Sequence, residues 1–440
     1  MPPTTETKEV QAGRPGEPYF DYAKAEGLAQ RERDWRAWMM VGVGLTSLIA
    51  ILALIVAIVK IGPSGSDSAE PAQGAAVPAM SHSAAATTAQ DQAAPTLAQA
   101  KGIKFEKFQP VDPTLPAVPA GAVKHFTVGV DQHMVQVDPA LAPVQAWTYT
   151  VNGKVYKGTA ASPPIVVNEG DRVSIKFVNG ANKSMHVNMA HSIDFHSAEV
   201  APSKYYVDIA PGKSETINFV AKHPGVFMYH CATQPILMHT GAGMTGMMVV
   251  KPKNLAPVDK ELWMVQNEFY IGQPGGLTDM AKLNAEKPDV IAFNGYANQY
   301  KTDPITVKPH ERIRMYVLDA GPSKWSAFHV IGTVFDTTHI EGVVGHDSQT
   351  ISLAPSQGGW VEFTLDEPGN YPFLTHSFGD MVKGAAGVLH TTGAPMPAAP
   401  AGSTPAPAAA PKGAVAVTMG DMWIKSPVAS VKAGKVAFSV

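Results

Sequence analysis

HSIDFH (residues 191–196) and YHCATQPILMHTGAGM (residues 229–244) decide how this 440-residue chain is read. The second stretch holds the only cysteine, Cys231, with His230 directly before it, His239 eight residues on and Met244 five beyond that. One thiolate, two imidazoles and a thioether form the ligand set of a blue copper centre, with methionine as the weak axial ligand. His191 is the candidate for the second imidazole. Side chains one apart in an extended strand point to opposite faces, whereas those two apart share a face. His230 and Cys231 must therefore face opposite ways. His191 and His196 also differ in parity, so one can join Cys231 inside a barrel while the other joins His230 outside it. Asp194 shares the face of His196. The pattern predicts two metal sites back to back across the His230–Cys231 peptide, with a carboxylate beside the outer one. Taken singly, a lone cysteine reads as a small buried hydrophobe, a lone histidine as a satisfied polar residue and Met244 as core. Their order and parity together favour the metal.

Around this stretch lies a degenerate repeat. IAPGKSETINFVAKHPGVFMYH (209–230) matches LAPSQGGWVEFTLDEPGNYPFLTH (353–376), with Pro211 to Pro224 and Pro355 to Pro368 both thirteen apart and Phe219 and Phe363 at the same offset. Upstream, VNEGDRVSIKFV (167–178) resembles VKPHERIRMYV (307–317), and each copy has an Asn-Gly pair, Asn152-Gly153 and Asn294-Gly295. Val173, Ile175 and Phe177 alternate with Ser174 and Lys176, as in a half-buried strand bounded by Asn-Gly and Pro-Gly turns. The expected fold is mainly β, with two tandem Greek-key β-sandwich domains at 103–254 and 255–393. The second copy has no cysteine, so only the first can hold a blue copper.

Towards the N-terminus, residues 1–37 are polar, with Arg31, Arg33 and Arg36 crowded before an apolar run. Trp38 to Val59 is free of charge, and as a helix it would be about 33 Å long, the thickness of a bilayer core. A transmembrane helix is expected at 38–60. The arginines before it, against Lys60 after it, put the N-terminus in the cytoplasm and everything beyond residue 60 outside the cell membrane. Residues 61–102 are rich in Ala, Pro and Ser and read as a flexible linker. A second Pro/Ala linker at 394–412 precedes residues 413–440. That last segment alternates like the opening strands of a further domain cut short, or like a pair added to an edge of the main body. Net charge is -3, which gives no sign of a nucleic-acid partner.

The segment from about 110 to 393 resembles the copper-containing nitrite reductases of the two-domain cupredoxin type, within the multicopper oxidases. The resemblance rests on AHSIDFHSA (190–198), PGVFMYHCATQPILMHTGAGMTGMMVV (224–250), IAFNG (291–295), RMYVLDAGPSKWSAFHVIGTVFD (314–336) and PGNYPFLTHSFGDMVKGAAGVL (368–389). It implies two copper ions per subunit. Type 1 copper would be held by His191, Cys231, His239 and Met244, and type 2 copper by His196, His230 and His376, the last supplied by a neighbouring subunit of a homotrimer. It also implies nitrite as substrate, Asp194 and His329 as proton donors, and a small cupredoxin or cytochrome c as electron donor. Spacing independently aims Asp194 at the outer metal, whereas the case for His329 rests on the resemblance. Ile331, two residues on, would narrow the substrate pocket. This chain departs from the family in SAEVAPSKYYVDIAPG (197–212) after His196, in Thr375 where an acidic residue is usual, and in an additional histidine, His186. His223, His310, His339, His346 and His390 read as turn or surface residues.

Two other readings compete. A laccase-like oxidase reducing dioxygen needs a trinuclear cluster built from paired His-x-His motifs, and none occurs in the chain. A type 1 electron-transfer protein would have no use for the outer histidines, Asp194 and His329.

Overall fold

The structure, a computed structural model, describes residues 93–180 and 189–397 together with four short strand segments between 415 and 439. The expected cytoplasmic segment, the membrane helix at 38–60, most of the first linker and His186 lie outside the described residues. Among those described, no helix is long and apolar enough to cross a membrane.

The first domain contains β1 (Val123–Val135), β2 (Val144–Val151), β3 (Ile165–Asn168), β4 (Arg172–Val178), β5 (Asp194–Phe195), β6 (Ser214–Val220), β7 (Gly225–His230) and β8 (Thr245–Lys251). They form two four-stranded sheets, ordered β2-β1-β4-β6 and β3-β8-β7-β5. The second domain contains β9 (Lys260–Phe269), β10 (Val290–Phe293), β11 (Ile305–Val307), β12 (Ile313–Asp319), β13 (Ser326–Val330), β14 (Phe335–Ile340), β15 (Val343–Ser348), β16 (Ile351–Leu353), β17 (Gly358–Phe363), β18 (Asn370–Thr375) and β19 (Ala386–Thr391). Its sheets run β10-β9-β12-β17-β14-β15 and β11-β19-β18-β13-β16. The repeat is visible in the pairing: β1 with β4 and β9 with β12 are parallel, as are β3 with β8 and β11 with β19.

Each sandwich closes on its own core. Phe126, Val128, Val130, Val173, Ile175 and Phe177 fill the first, and Leu262, Met264, Met315, Val317, Phe328 and Phe363 the second. The strand β8 is buried on both faces, because the domains share a third apolar layer. Met248 enters the first core, whereas Met247 and Val249 pack with Trp263, Tyr316 and Trp360 of the second domain. The sheet carrying β9, β12 and β17 thus faces the first domain. The sheet carrying β13 and β18 takes no part in that layer.

The two Asn-Gly pairs make the same turn. Asn152 and Gly153 have φ of 50° and 77°, and Asn294 and Gly295 have 53° and 75°, the left-handed pair that Asn-Gly accepts at least cost. Asn152 Oδ1 accepts from Thr127 N–H at 2.8 Å and Asn294 Oδ1 from Val265 N–H at 2.8 Å. Their surroundings differ. A Cβ on Gly153 would meet nothing within 4 Å, whereas one on Gly295 would lie 2.4 Å from the Ala160 carbonyl carbon. Gly153→Ala should therefore cost about 1–2 kcal/mol for the left-handed backbone alone. Gly295→Ala should cost roughly 3–5 kcal/mol once overpacking is added. Urea unfolding of both variants checks this, and equal losses would show that the chain at Ala160 gives way freely.

Residues 93–102, in the stretch expected to be flexible, are tied to the first domain: Ala142 N–H donates to Pro95 C=O at 2.8 Å and Leu97 N–H to Ala140 C=O at 2.9 Å. At the other end, Val415–Ala416 pairs with Phe438–Ser439, and Thr418–Gly420 with Trp423–Lys425. These four segments pair among themselves and not with the sheets of the two domains. Of the remaining histidines, His223 and His346 are exposed, and His310 occupies a left-handed turn position. His390 departs from the expectation of a turn or surface residue: it lies in β19, is buried, and its Nδ1 bonds Asn370 at 2.8 Å. His339 stacks on Trp360 with ring centroids 4.2 Å apart.

Candidate metal centres

The pairing of β5 with β7 sets Asp194 directly opposite His230. Cys231 leaves the end of β7, and its N–H donates to Met244 C=O at 3.1 Å. Met244 N–H in turn donates to His239 C=O at 3.1 Å, so the Cys231–Met244 loop is closed on itself by backbone bonds. The short helix Ile236–Gly241 within that loop carries His239 inward.

His191, Cys231 and His239 are fully buried and converge. Cys231 Sγ lies 3.3 Å from His239 Nδ1 and 4.0 Å from His191 Nδ1, and the two Nδ1 atoms are 3.2 Å apart. Met244, also fully buried, hangs from the same loop. Burial pushes the His191 ring down to about 4, with His239 adding to the shift and Asp208 opposing it. His239 is lowered too, again chiefly by burial. Both shifts favour the neutral ring, which keeps one nitrogen lone pair for a metal. Ser192 N–H points at Cys231 Sγ from 3.4 Å and suits a thiolate. Three lone-pair atoms facing one point, with a soft sulfur among them, fit a copper or zinc ion better than any network of hydrogen bonds among themselves.

On the other side of the His230–Cys231 peptide, Asp194, His196 and His230 form a second convergent group, half-buried to exposed. His230 Nε2 lies 3.1 Å from His196 Nε2 and 3.9 Å from Asp194 Oδ2. His230 Nδ1–H donates to the Cys231 carbonyl at 2.9 Å, which fixes the tautomer and leaves the Nε2 lone pair available to a metal. His196 is lowered by burial and by His230, with Asp194 opposing. This donor set, two imidazoles and a carboxylate open to solvent, fits a metal with free coordination positions.

His376 and His329 do not join this group within the chain. They lie together at the sheet that contributes nothing to the apolar layer between the domains, their rings stacked at 5.0 Å. His376 follows the end of β18, and its N–H donates to Ala327 C=O at 2.8 Å. His329 Nδ1–H donates to the Gln349 carbonyl, which leaves the lone pair on Nε2. Thr375 is structural, its Oγ1 accepting from Ala327 N–H at 3.0 Å. Exposed apolar side chains flank the pair: Trp325 is 61% exposed, Ile331 42%, Phe378 60% and Val382 73%.

Two neighbours of the inner group escaped sequence reasoning. The Trp147 ring stands edge-on to both imidazoles, with centroids 5.4 Å from His191 and 5.1 Å from His239. The Gln132 side-chain amide lies 3.0 Å from His191 Nε2. Both sit on strands some fifty residues upstream of the motif, where nothing local marks them.

Comparison with known proteins points the same way as the donor sets. The multicopper oxidase family model matches residues 135–255. The copper-containing nitrite reductase of Neisseria meningitidis serogroup B is 35% identical over 293 residues, 64% of this chain and 74% of that protein. That of Neisseria gonorrhoeae is 38% identical over 253 residues, 55% of this chain and 64% of the relative. Among solved structures, the copper nitrite reductase of Nitrosomonas europaea superposes with a TM-score of 0.55 at 28% identity, covering 63% of this chain and 97% of that one. The copper-containing nitrite reductase of Thermus scotoductus gives 0.54 at 30% identity, over 63% and 64%. Since more than a third of the aligned residues are shared along about three quarters of the meningococcal protein, the chain belongs to the copper-containing nitrite reductase family.

Proposed function

We propose that this copper-dependent nitrite reductase uses two ions per chain, type 1 at His191, Cys231, His239 and Met244, and type 2 at His196, His230 and a neighbouring subunit's His376. The observation that carries the reading is the placement of two donor groups on opposite sides of one peptide bond, that between His230 and Cys231. Copper at the inner group would supply a one-electron relay, and copper at the outer group a Lewis-acid position for nitrite. The overall reaction joins nitrite, one electron and two protons to give nitric oxide and water.

The chain's own residues contribute the path, the protons and the shape. Cys231 Sγ and the His230 ring are joined through the His230–Cys231 peptide, and His230 Nδ1 also donates to the Cys231 carbonyl in the peptide that follows. Asp194 Oδ2, beside His230 Nε2, is placed to hydrogen-bond an oxygen of the substrate and to hand it a proton as general acid. His329, with Nδ1 anchored and Nε2 free, is the second donor in this reading. Ile331 limits the pocket from the same edge. For these groups to meet Asp194, the His329–His376 face must dock on the outer group of another copy, and its exposed apolar flank suits burial in a homotrimer.

Residues 38–60 are proposed to anchor the protein in the cell membrane with the catalytic domains outside, and a cupredoxin or cytochrome c to supply electrons. Separation of membrane and soluble fractions checks the anchor. The activity is tested with copper-loaded protein, an artificial reductant and nitrite under anaerobic conditions, with nitric oxide read at an electrode. Nitric oxide should appear in proportion to nitrite consumed. Its absence with two coppers bound per chain would overturn the reading, and dioxygen consumption in its place would favour the oxidase.

A further inference from the structure

The alternate row Phe126, Val128, Val130 and Gln132 of β1 faces the first core. Gln132 is the polar member of that row, yet it is only 5% exposed. Its chain neighbours Asp131 and His133 turn the other way, His133 Nδ1 meeting Glu106 at 3.2 Å and Asp131 at 3.7 Å. A primary amide buried among valines is costly unless it is bonded. Its amide nitrogen lies 3.0 Å from Nε2 of His191.

We infer that Gln132 is a positioning residue for the inner centre, accepting the Nε2 proton of His191 and so holding that ring's Nδ1 on the Cys231–His239 point. The reasoning is one of proton count. His191 Nδ1 faces the thiol and His239 Nδ1, so it is the ligating nitrogen, and a neutral ring then carries its proton on Nε2. A half-turn of the Gln132 amide exchanges NH2 for oxygen without moving another atom, and the oxygen accepts that proton. The ring is then fixed at both nitrogens, while Trp147, the cross-strand partner of Gln132, closes its edge. An acceptor on the far nitrogen also makes an imidazole a better donor, which favours the more highly charged metal state. Gln132 thus biases the inner ion towards Cu(II) and sets how readily it takes up an electron. This inference rests on the assignment of the inner group as type 1 copper.

The test uses the whole chain carrying Gln132→Met, which keeps the side-chain length and removes the amide acceptor, and Gln132→Glu, which strengthens it. The readouts are Cu(II) affinity, the intense thiolate absorption and a spectroscopic redox titration of the inner ion. Gln132→Met should bind Cu(II) about 10–100-fold more weakly. Confined to Cu(II), each tenfold loss raises the potential by about 59 mV. Gln132→Glu should lower the potential below wild type. Unchanged affinity and potential in Gln132→Met, or shifts of the same sign in both variants, would overturn the inference. Should Gln132→Met fail to fold, Gln132→Glu decides alone: a downward shift supports the role, and no shift or an upward one overturns it. Wild type without thiolate absorption would remove the copper assignment itself, whereas wild type that shows it beside unshifted variants would remove only the role of Gln132.

Discussion

Cys231→Ala is expected to bleach the protein and cut nitrite turnover by at least about a hundredfold, while one copper per chain stays bound. The colour would go because Cys231 Sγ is the sulfur on which the His191 and His239 Nδ1 atoms converge. The outer ion would remain because its group uses the backbone of residue 231 rather than its side chain: His230 Nδ1 donates to the Cys231 carbonyl, which alanine keeps. The fold would survive as well, since losing one buried methyl-sized group costs about 1 kcal/mol. Metal analysis, the visible spectrum and nitric oxide release from the same preparation make the check. A variant that kept its colour would place the blue site elsewhere, and one that lost both coppers would show that the two groups are not separable across the peptide.

Much of this was legible in the sequence because strand parity is a geometric rule that needs no tertiary information. The one-residue offset between His230 and Cys231, and the odd spacing of His191 and His196, require two faces, and the structure puts one donor group on each. The repeat was legible for a similar reason, since Asn152-Gly153 and Asn294-Gly295 each mark a left-handed turn that few other pairs adopt. What the pattern could not supply was anything set by packing between distant segments. The two-faced burial of β8 could be read as an apolar run but not assigned to a shared layer with Trp263 and Trp360. Gln132 is one of three polar residues in VGVDQHMV, and its role depends on a register that brings β1 against a loop 59 residues away. His390, expected at a turn or the surface, lies within β19, buried and bonded to the Asn370 side chain on the neighbouring strand. The placement of His376 on the outward sheet follows from the sheet order, which the repeat implies only loosely.

His376→Ala should leave the colour intact and reduce nitric oxide formation by on the order of a thousandfold, the effect of losing about 4 kcal/mol of transition-state stabilisation. Within one chain such a loss has no obvious cause, because His376 stacks on His329 and touches neither His196 nor His230 in the outer group. The effect requires a second copy, and that requirement can be isolated. Chains carrying His196→Ala and chains carrying His376→Ala should each be almost inactive alone, but co-expressed they would form mixed trimers. A working site then needs a His376→Ala chain to supply the His196–His230 side and a His196→Ala chain to supply His376. Random assembly satisfies this at about one site in four, so the mixture should regain roughly a quarter of wild-type activity. Light scattering of the purified mixture should give the mass of three chains. If the mixture stays inactive while trimeric, the outer group is completed within its own chain, and the exposed apolar face beside His376 serves some other contact.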